Sequence, residues 1–198
     1  MDLRVAQIVP CTEAEGPGRR FAVWVQGCPL RCSGCCNPEM FPHDGGVLVA
    51  PRELARRAIE TLGIEGISLL GGEPFAQAAG CATFARAVRQ AGLSVMVFTG
   101  YTLAELRAGE EAGGAGELLA ASDLLVDGRF EKEQLDPSRR WIGSRNQVLH
   151  FLSARYSPTD PRFSTSNTAE LRLTGKELTM NGWPGLVPDL RRRARGTA

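Results

Sequence analysis

The chain has 198 residues, 43% of them hydrophobic and 23% charged, with a formal net charge of +1. That length suits one domain, which buries roughly 70% of its unfolded surface and needs no disulfide or metal merely to fold. A charge so close to zero gives no bulk electrostatic case for nucleic acid or a membrane surface, and no stretch approaches the ~18 apolar residues of a membrane span.

The opening MDLRVAQIVPCTEAEG lacks the apolar run of a signal peptide. A cytoplasmic protein is therefore expected, in which clustered cysteines bind metal or catalyse rather than form disulfides. FAVWVQG (Phe21 to Gly27) reads as a short strand rich in aromatic and β-branched residues, ending in a cysteine-rich loop. PRELARRAIETLG (Pro51 to Gly63) begins at proline, repeats apolar residues at helical spacing and stops at glycine. GISLLGGEP (Gly66 to Pro74) is a strand running into two glycines, Pro74 to Gly92 a helix, and LSVMVFTGY (Leu93 to Tyr101) a buried strand. Thr102 with Glu105 three residues on has the spacing of a capping box opening a short helix. SDLLVDGRF (Ser122 to Phe130) is a fourth strand. Alternating strands and helices argue for βαβ units in a parallel α/β sheet, whose ligands sit at the C-terminal strand ends. Beyond about Arg155 the chain becomes polar, then alternates apolar and polar around Thr174–Gly175–Lys176, a β-hairpin pattern. The expected division is a core of residues 1–155 and an extension of residues 156–198 that ends in the basic run Arg191 to Arg195, read as a solvated terminus.

Four of the six cysteines fall within nine residues: Cys28, Cys32, Cys35 and Cys36. Zinc and iron–sulfur clusters both use thiolates. A closed zinc site would need Cys36 or His43 as its fourth ligand. Adjacent residues of an extended segment point opposite ways, so Cys35 and Cys36 are poorly placed to share an ion. Three ligands plus a vacancy make a site for chemistry, by analogy with catalytic zinc. The spacing alone ranks an iron–sulfur cluster ahead of zinc, and zinc ahead of plain thiols, without closing the question.

The spacing C-x3-C-x2-C after one strand, followed by Gly71–Gly72–Glu73–Pro74 at the end of the next, resembles the radical S-adenosylmethionine (SAM) superfamily. EGPGRRFAVWVQGCPLRCSGCCNP is similar to the opening of its glycyl-radical-enzyme activating group. FTGY (Phe98 to Tyr101) and the stretch from Asp123 to His150 are similar to the activating enzymes of anaerobic ribonucleotide reductases. The resemblance implies a partial TIM-like (βα) barrel of parallel strands with the hairpin as an appendage. It implies a [4Fe–4S] cluster on Cys28, Cys32 and Cys35, and SAM bound with help from Gly71, Gly72, Glu73, Pro74, Thr99, Gly100, Tyr101, Asp127 and Asn146. It further implies reductive cleavage of SAM, abstraction of hydrogen from a glycine of a partner glycyl radical enzyme, and a flavodoxin or ferredoxin as electron donor. Strand-to-helix turns are the plainer account of Thr99 to Tyr101 and of Asp127 to Arg129, and capping of Asn146 and Gln147. Arg19 reads as a surface charge or a site group, Cys81 as core and Cys11 as a spare thiol in a loop. Tyrosine is usual where Cys36 stands, and the segment beyond about Arg155 is longer than in compact members. Both departures leave room for a different substrate, a small molecule or a peptide.

Overall fold

Alternation at the period of a strand divides each central strand between two environments. The computed structural model describes residues 1–109, 113–175 and 177–186; Lys176 and the basic run Arg191 to Arg195 lie outside them. Seven strands form one sheet: β1 (Leu3–Thr12), β2 (Arg20–Val25), β3 (Val47–Val49), β4 (Gly66–Gly71), β5 (Ser94–Phe98), β6 (Leu124–Asp127) and β7 (Val148–Phe151). Their order is β3-β1-β2-β4-β5-β6-β7. β2, β4, β5 and β6 run parallel, whereas β1 and β3 on one side and β7 on the other are antiparallel. The expected parallel arrangement thus holds for the four central strands alone, and the fold is a mixed α/β sheet of linear order. No α-helix separates β1 from β2 or β6 from β7, and a parallel return needs such a crossover.

Three helices follow the expected places, α1 (Pro51–Glu60), α2 (Ala78–Gln90) and α3 (Leu103–Ala108), and a fourth, α4 (Ala115–Ala121), was not marked by the sequence pattern. Proline starts α1, and the Thr102–Glu105 capping box of α3 is complete. Pro74–Gln77 form a separate 3-10 turn before α2. On the helical side, Phe21, Val23, Ile67, Leu69, Val95 and Val97 pack with helix residues such as Leu54 and Phe84 into the main core. Cys81 is fully buried there, as expected. On the other side Ala22, Trp24, Leu70, Met96 and Phe98 face inward beneath β1 and the segment after β6. Cys11 lies in β1, not in a loop. Among the described residues no helix is long and apolar enough to cross a membrane.

The expected hairpin is present as β8 (Ala169–Thr174) paired antiparallel with β9 (Glu177–Gly182), turning at Gly175 with φ +61°. Its polar face docks on the end of β1, where Glu13 N–H donates to Glu170 Oε1 (2.7 Å) and Asn181 Nδ2 to Thr12 Oγ1 (3.0 Å).

The inner face closes at the N-terminal strand ends around Arg20. This side chain is fully buried, and burial lowers its pKa. Its guanidinium donates to Ser68 Oγ (3.1 Å), Ser94 Oγ (2.6 Å), Pro17 O (3.3 Å), Ile67 O and Tyr156 OH (3.3 Å). A buried cation is tolerable only when its donors are satisfied, and here neutral oxygens do it. Arg19, by contrast, is exposed, 3.5 Å from Glu13.

Candidate active site

Between the inner face of the sheet and the segments that cover it lies a cavity of about 190 Å³. Trp24, Leu70 and Phe98 form its apolar wall, and all four clustered cysteines open onto it. The loop that carries them curls tightly, with left-handed backbone at Arg31 (φ +48°) and Gly34 (φ +73°) and a Cys35 N–H to Cys32 O bond of 3.2 Å. Backbone N–H groups point at the sulfurs: Leu30 and Arg31 at Cys28, and Asn37 at Cys35 Sγ (3.4 Å). Burial raises the Cys28 pKa, whereas a hydrogen bond from the Cys36 thiol pulls Cys35 down to about 7. Cys36 therefore does not point away from Cys35. Residues 33 to 36 form a turn and bend, not the extended segment that the alternation argument presumed.

The Gly-Gly-Glu turn is spliced to this loop through backbone. Gly72 N–H donates to Val25 O (2.7 Å) and Glu73 N–H to Gly27 O (2.9 Å). A Cβ on Gly71, at φ +97°, would lie 2.6 Å from Trp24 Cα, and one on Gly72 would lie 2.4 Å from Gly27 O. Their missing side chains thus let the turn pack against β2 and its exit. The carboxylate of Glu73 turns inward. It accepts from Phe75 N–H (2.9 Å) and Thr99 Oγ1 (2.8 Å) through Oε1, and from Gly100 N–H (2.9 Å) through Oε2. Burial outweighs these bonds and raises its pKa to about 7. Glu73 thereby fastens the end of β5 to the end of β4, so that the cysteine loop, the Gly-Gly-Glu turn and Thr99–Gly100 form one roof.

The other expected residues stand back from the cavity. Pro74 starts the buried 3-10 turn, and the Tyr101 side chain packs against the main core. Asp127 Oδ2 accepts from Leu103 N–H (2.6 Å) at the start of α3 and lies 2.9 Å from His150 Nε2. Asn146 donates to Arg129 O (2.7 Å) near the surface, while its neighbour Gln147 lines the cavity and binds Gly128 O, Gly143 N–H and Ser144 N–H.

Three further residues line the cavity that the sequence pattern did not mark: Glu15, Trp141 and Asn181. Glu15 belongs to the EGPG turn, which crosses under the inner face; its carbonyl accepts from Ser68 Oγ (2.5 Å). Its carboxyl is pushed by burial to about 7 and accepts from Asn181 Nδ2 (3.2 Å). These residues make the floor; the Glu15 carbonyl is level with Ser68, three residues and about 10 Å along β4 from Gly71.

Among the described residues, no three His, Cys, Asp or Glu side chains converge on one ion-sized point. A zinc ion with ~2.3 Å bonds would gather its thiolates closely. Three thiols spread around one cavity, with N–H groups aimed at two of them, fit the larger body of an iron–sulfur cluster, whose potential such hydrogen bonds tune.

Residues 14–150 match the family model of a 4Fe-4S single cluster domain. The chain is also 35% identical over 154 residues to an anaerobic ribonucleoside-triphosphate reductase-activating protein of Vibrio cholerae, covering 73% of this chain and 95% of that one. The chain belongs to this family. Its members of the same name include those of Haemophilus influenzae, 32% identical over 152 residues (73% of this chain, 95% of that one), and Escherichia coli K12, 32% identical over 155 residues (74% and 97%). They are activating enzymes of the radical SAM type. About a quarter of the present chain lies outside each of these alignments, and the hairpin β8–β9 lies beyond the matched residues 14–150.

Proposed function

We propose that the chain activates an anaerobic ribonucleoside-triphosphate reductase by creating a radical on one of its glycines. One observation carries this reading: the three spaced cysteines, the Gly-Gly-Glu turn and the Thr99–Gly100 strand end share one cavity roof, in a chain whose relatives bear that name. Cys28, Cys32 and Cys35 would hold a [4Fe–4S] cluster, with the N–H groups at Cys28 and Cys35 stabilising thiolate charge. When bound, cluster and SAM would supply one-electron reductive cleavage of a carbon–sulfur bond and the hydrogen abstraction from a glycine Cα that it makes possible.

The chain's own residues position and exclude. Gly71 and Gly72 set the backbone path beside the ligand, Glu73 holds Thr99 and Gly100 in line, and Trp24, Leu70 and Phe98 keep water from the reacting carbon. Asp127, Tyr101, Pro74 and Asn146 serve this site by holding the strand ends. The curvature of a partial barrel, a core of residues 1–155 with an extension from 156, a flavodoxin or ferredoxin donor and a cytoplasmic setting belong to the same reading.

Anaerobic reconstitution tests it. The chain should bind about four irons and form 5′-deoxyadenosine and methionine from SAM under a strong reductant. Cys32→Ala should lose the iron, whereas Cys36→Ala should keep it. A well-reconstituted sample that leaves SAM intact refutes the reading, and equal iron loss in both variants refutes the ligand assignment.

A further inference from the structure

The cavity floor contains two buried polar atoms without hydrogen-bond partners among the described residues: Trp141 Nε1, a donor, and Asn181 Oδ1, an acceptor. Trp141 is 7% exposed and Asn181 3%, and both line the cavity. Buried polar groups are nearly always satisfied, so an orphan donor and an orphan acceptor in one wall point to a ligand that supplies both. Neither orientation is free. Asn181 Nδ2 donates to Thr12 Oγ1 (3.0 Å) and Glu15 Oε1 (3.2 Å), which uses both of its hydrogens and leaves Oδ1 bare. Trp141 sits at φ +61°, a backbone conformation that bulky residues rarely adopt. Its ring is fixed between Arg140, 4.4 Å from the centroid, and Phe163, in edge contact at 5.5 Å.

We propose that Trp141 and Asn181 form a substrate subsite that receives a peptide amide of the protein loop carrying the target glycine. The amide oxygen accepts from Trp141 Nε1 and an amide N–H donates to Asn181 Oδ1. This deepens the function proposed above and rests on it. The edge of an adenine base offers the same donor and acceptor, so SAM itself is the competing source of that chemistry. Two observations favour the protein loop. Asn181 is held by Thr12 and Glu15, not by the cysteine loop or the Gly-Gly-Glu turn. On the hairpin face opposite to Asn181, Met180 lines the cavity and is joined by Leu171, directly opposite it, and Leu173. These are 52% and 74% exposed, an apolar surface beside the cavity that an entering loop would cover and an enclosed nucleoside would not. Asn181 lies outside the matched family domain and Trp141 within it, so this chain's appendage supplies one half of the subsite.

The test uses the full reconstituted chain and the anaerobic reductase encoded in the same genome. Wild type, Trp141→Phe and Asn181→Ala are compared for bound iron, for 5′-deoxyadenosine formed without the reductase, and for glycyl radical by electron paramagnetic resonance as the reductase is titrated. Trp141→Phe removes one N–H and keeps an aromatic ring, so it reads the subsite even where Asn181→Ala loosens the hairpin. Both variants should keep their iron and their partner-free SAM cleavage, while the KM for the reductase rises about tenfold or more. An unchanged KM in Trp141→Phe, with wild type active, overturns the subsite alone. A matching fall in partner-free SAM cleavage assigns the floor to adenine and also overturns it. A wild type that cleaves no SAM overturns the proposed function, and the subsite with it.

Discussion

Glu73 and Glu15 are two buried carboxyls in one cavity, both pushed to about 7 by burial, yet they are built into the molecule differently. Glu73 accepts three hydrogen bonds from within the sheet's own strand ends. Glu15 is met from the hairpin, by the Asn181 amide and by Gly182 N–H. The roof is thus locked by contacts within the shared domain, whereas the floor depends on an appendage added to it. Desolvation sets the proton affinity of both; the partners decide which one is structural.

The largest effect should come from Gly72→Ala. Its Cβ would meet Gly27 O, a backbone atom of the cysteine loop, so unfolding free energy should fall by about 3 kcal/mol or more, with iron binding impaired. Normal iron content in a stable variant would unlink the roof from the cysteines.

Glu73→Gln comes next. One carboxamide nitrogen must face an N–H or hydroxyl donor that the carboxylate oxygens accept, at about 1–3 kcal/mol, measurable by denaturant unfolding at fixed pH. A variant as stable as wild type would put Glu73 on the same footing as Glu15.

Glu15→Gln should act through pH. A carboxyl raised from 4.5 to about 7 keeps its proton in the folded chain after the unfolded chain has lost it. Stability therefore falls as pH rises from 4.5 to about 7, by up to about 3 kcal/mol. The variant should lose that share of the slope, keep the share that Glu73 contributes over the same window, and match wild type below pH 4.5. Parallel pH curves for the two proteins would show that Glu15 does not titrate in this window.

The smallest effect belongs to Asn146→Ala. The bond to Arg129 O is exposed, so stability should change by less than about 1 kcal/mol and SAM cleavage not at all. A large loss of cleavage would return Asn146 to the cavity.

The central frame was legible because its signals are local. Apolar runs ending in glycine placed β2, β4, β5 and β6, and the Thr102–Glu105 spacing placed α3. The cysteines and Gly-Gly-Glu turn stand together in the structure as their order implied. β3 and β7, of three and four residues, are too short to carry a period, and β1 precedes the first βα unit, where the alternating pattern gives it no place. The two accounts of Asp127 could not be separated from sequence, because a carboxylate at a strand end looks the same whether it faces a ligand or caps the next helix, as it does at Leu103. Glu15 and Asn181 are far apart in sequence and meet through docking of the hairpin, which no spacing encodes. The positive φ of Trp141 likewise has no sequence mark, and its partners Phe163 and Asn167 lie more than twenty residues away.

Arg20 carries one more consequence, for the order in which the chain can mature on the ribosome. Its guanidinium is made within the first twenty residues, but its oxygen partners include Ser68, Ser94 and Tyr156. Until Tyr156 has emerged, that charge lacks part of its cage. Its burial is costly without the full set, so final closure of the inner face waits until Tyr156 has been made, and a nascent chain stalled before Tyr156 should remain open to protease at β2.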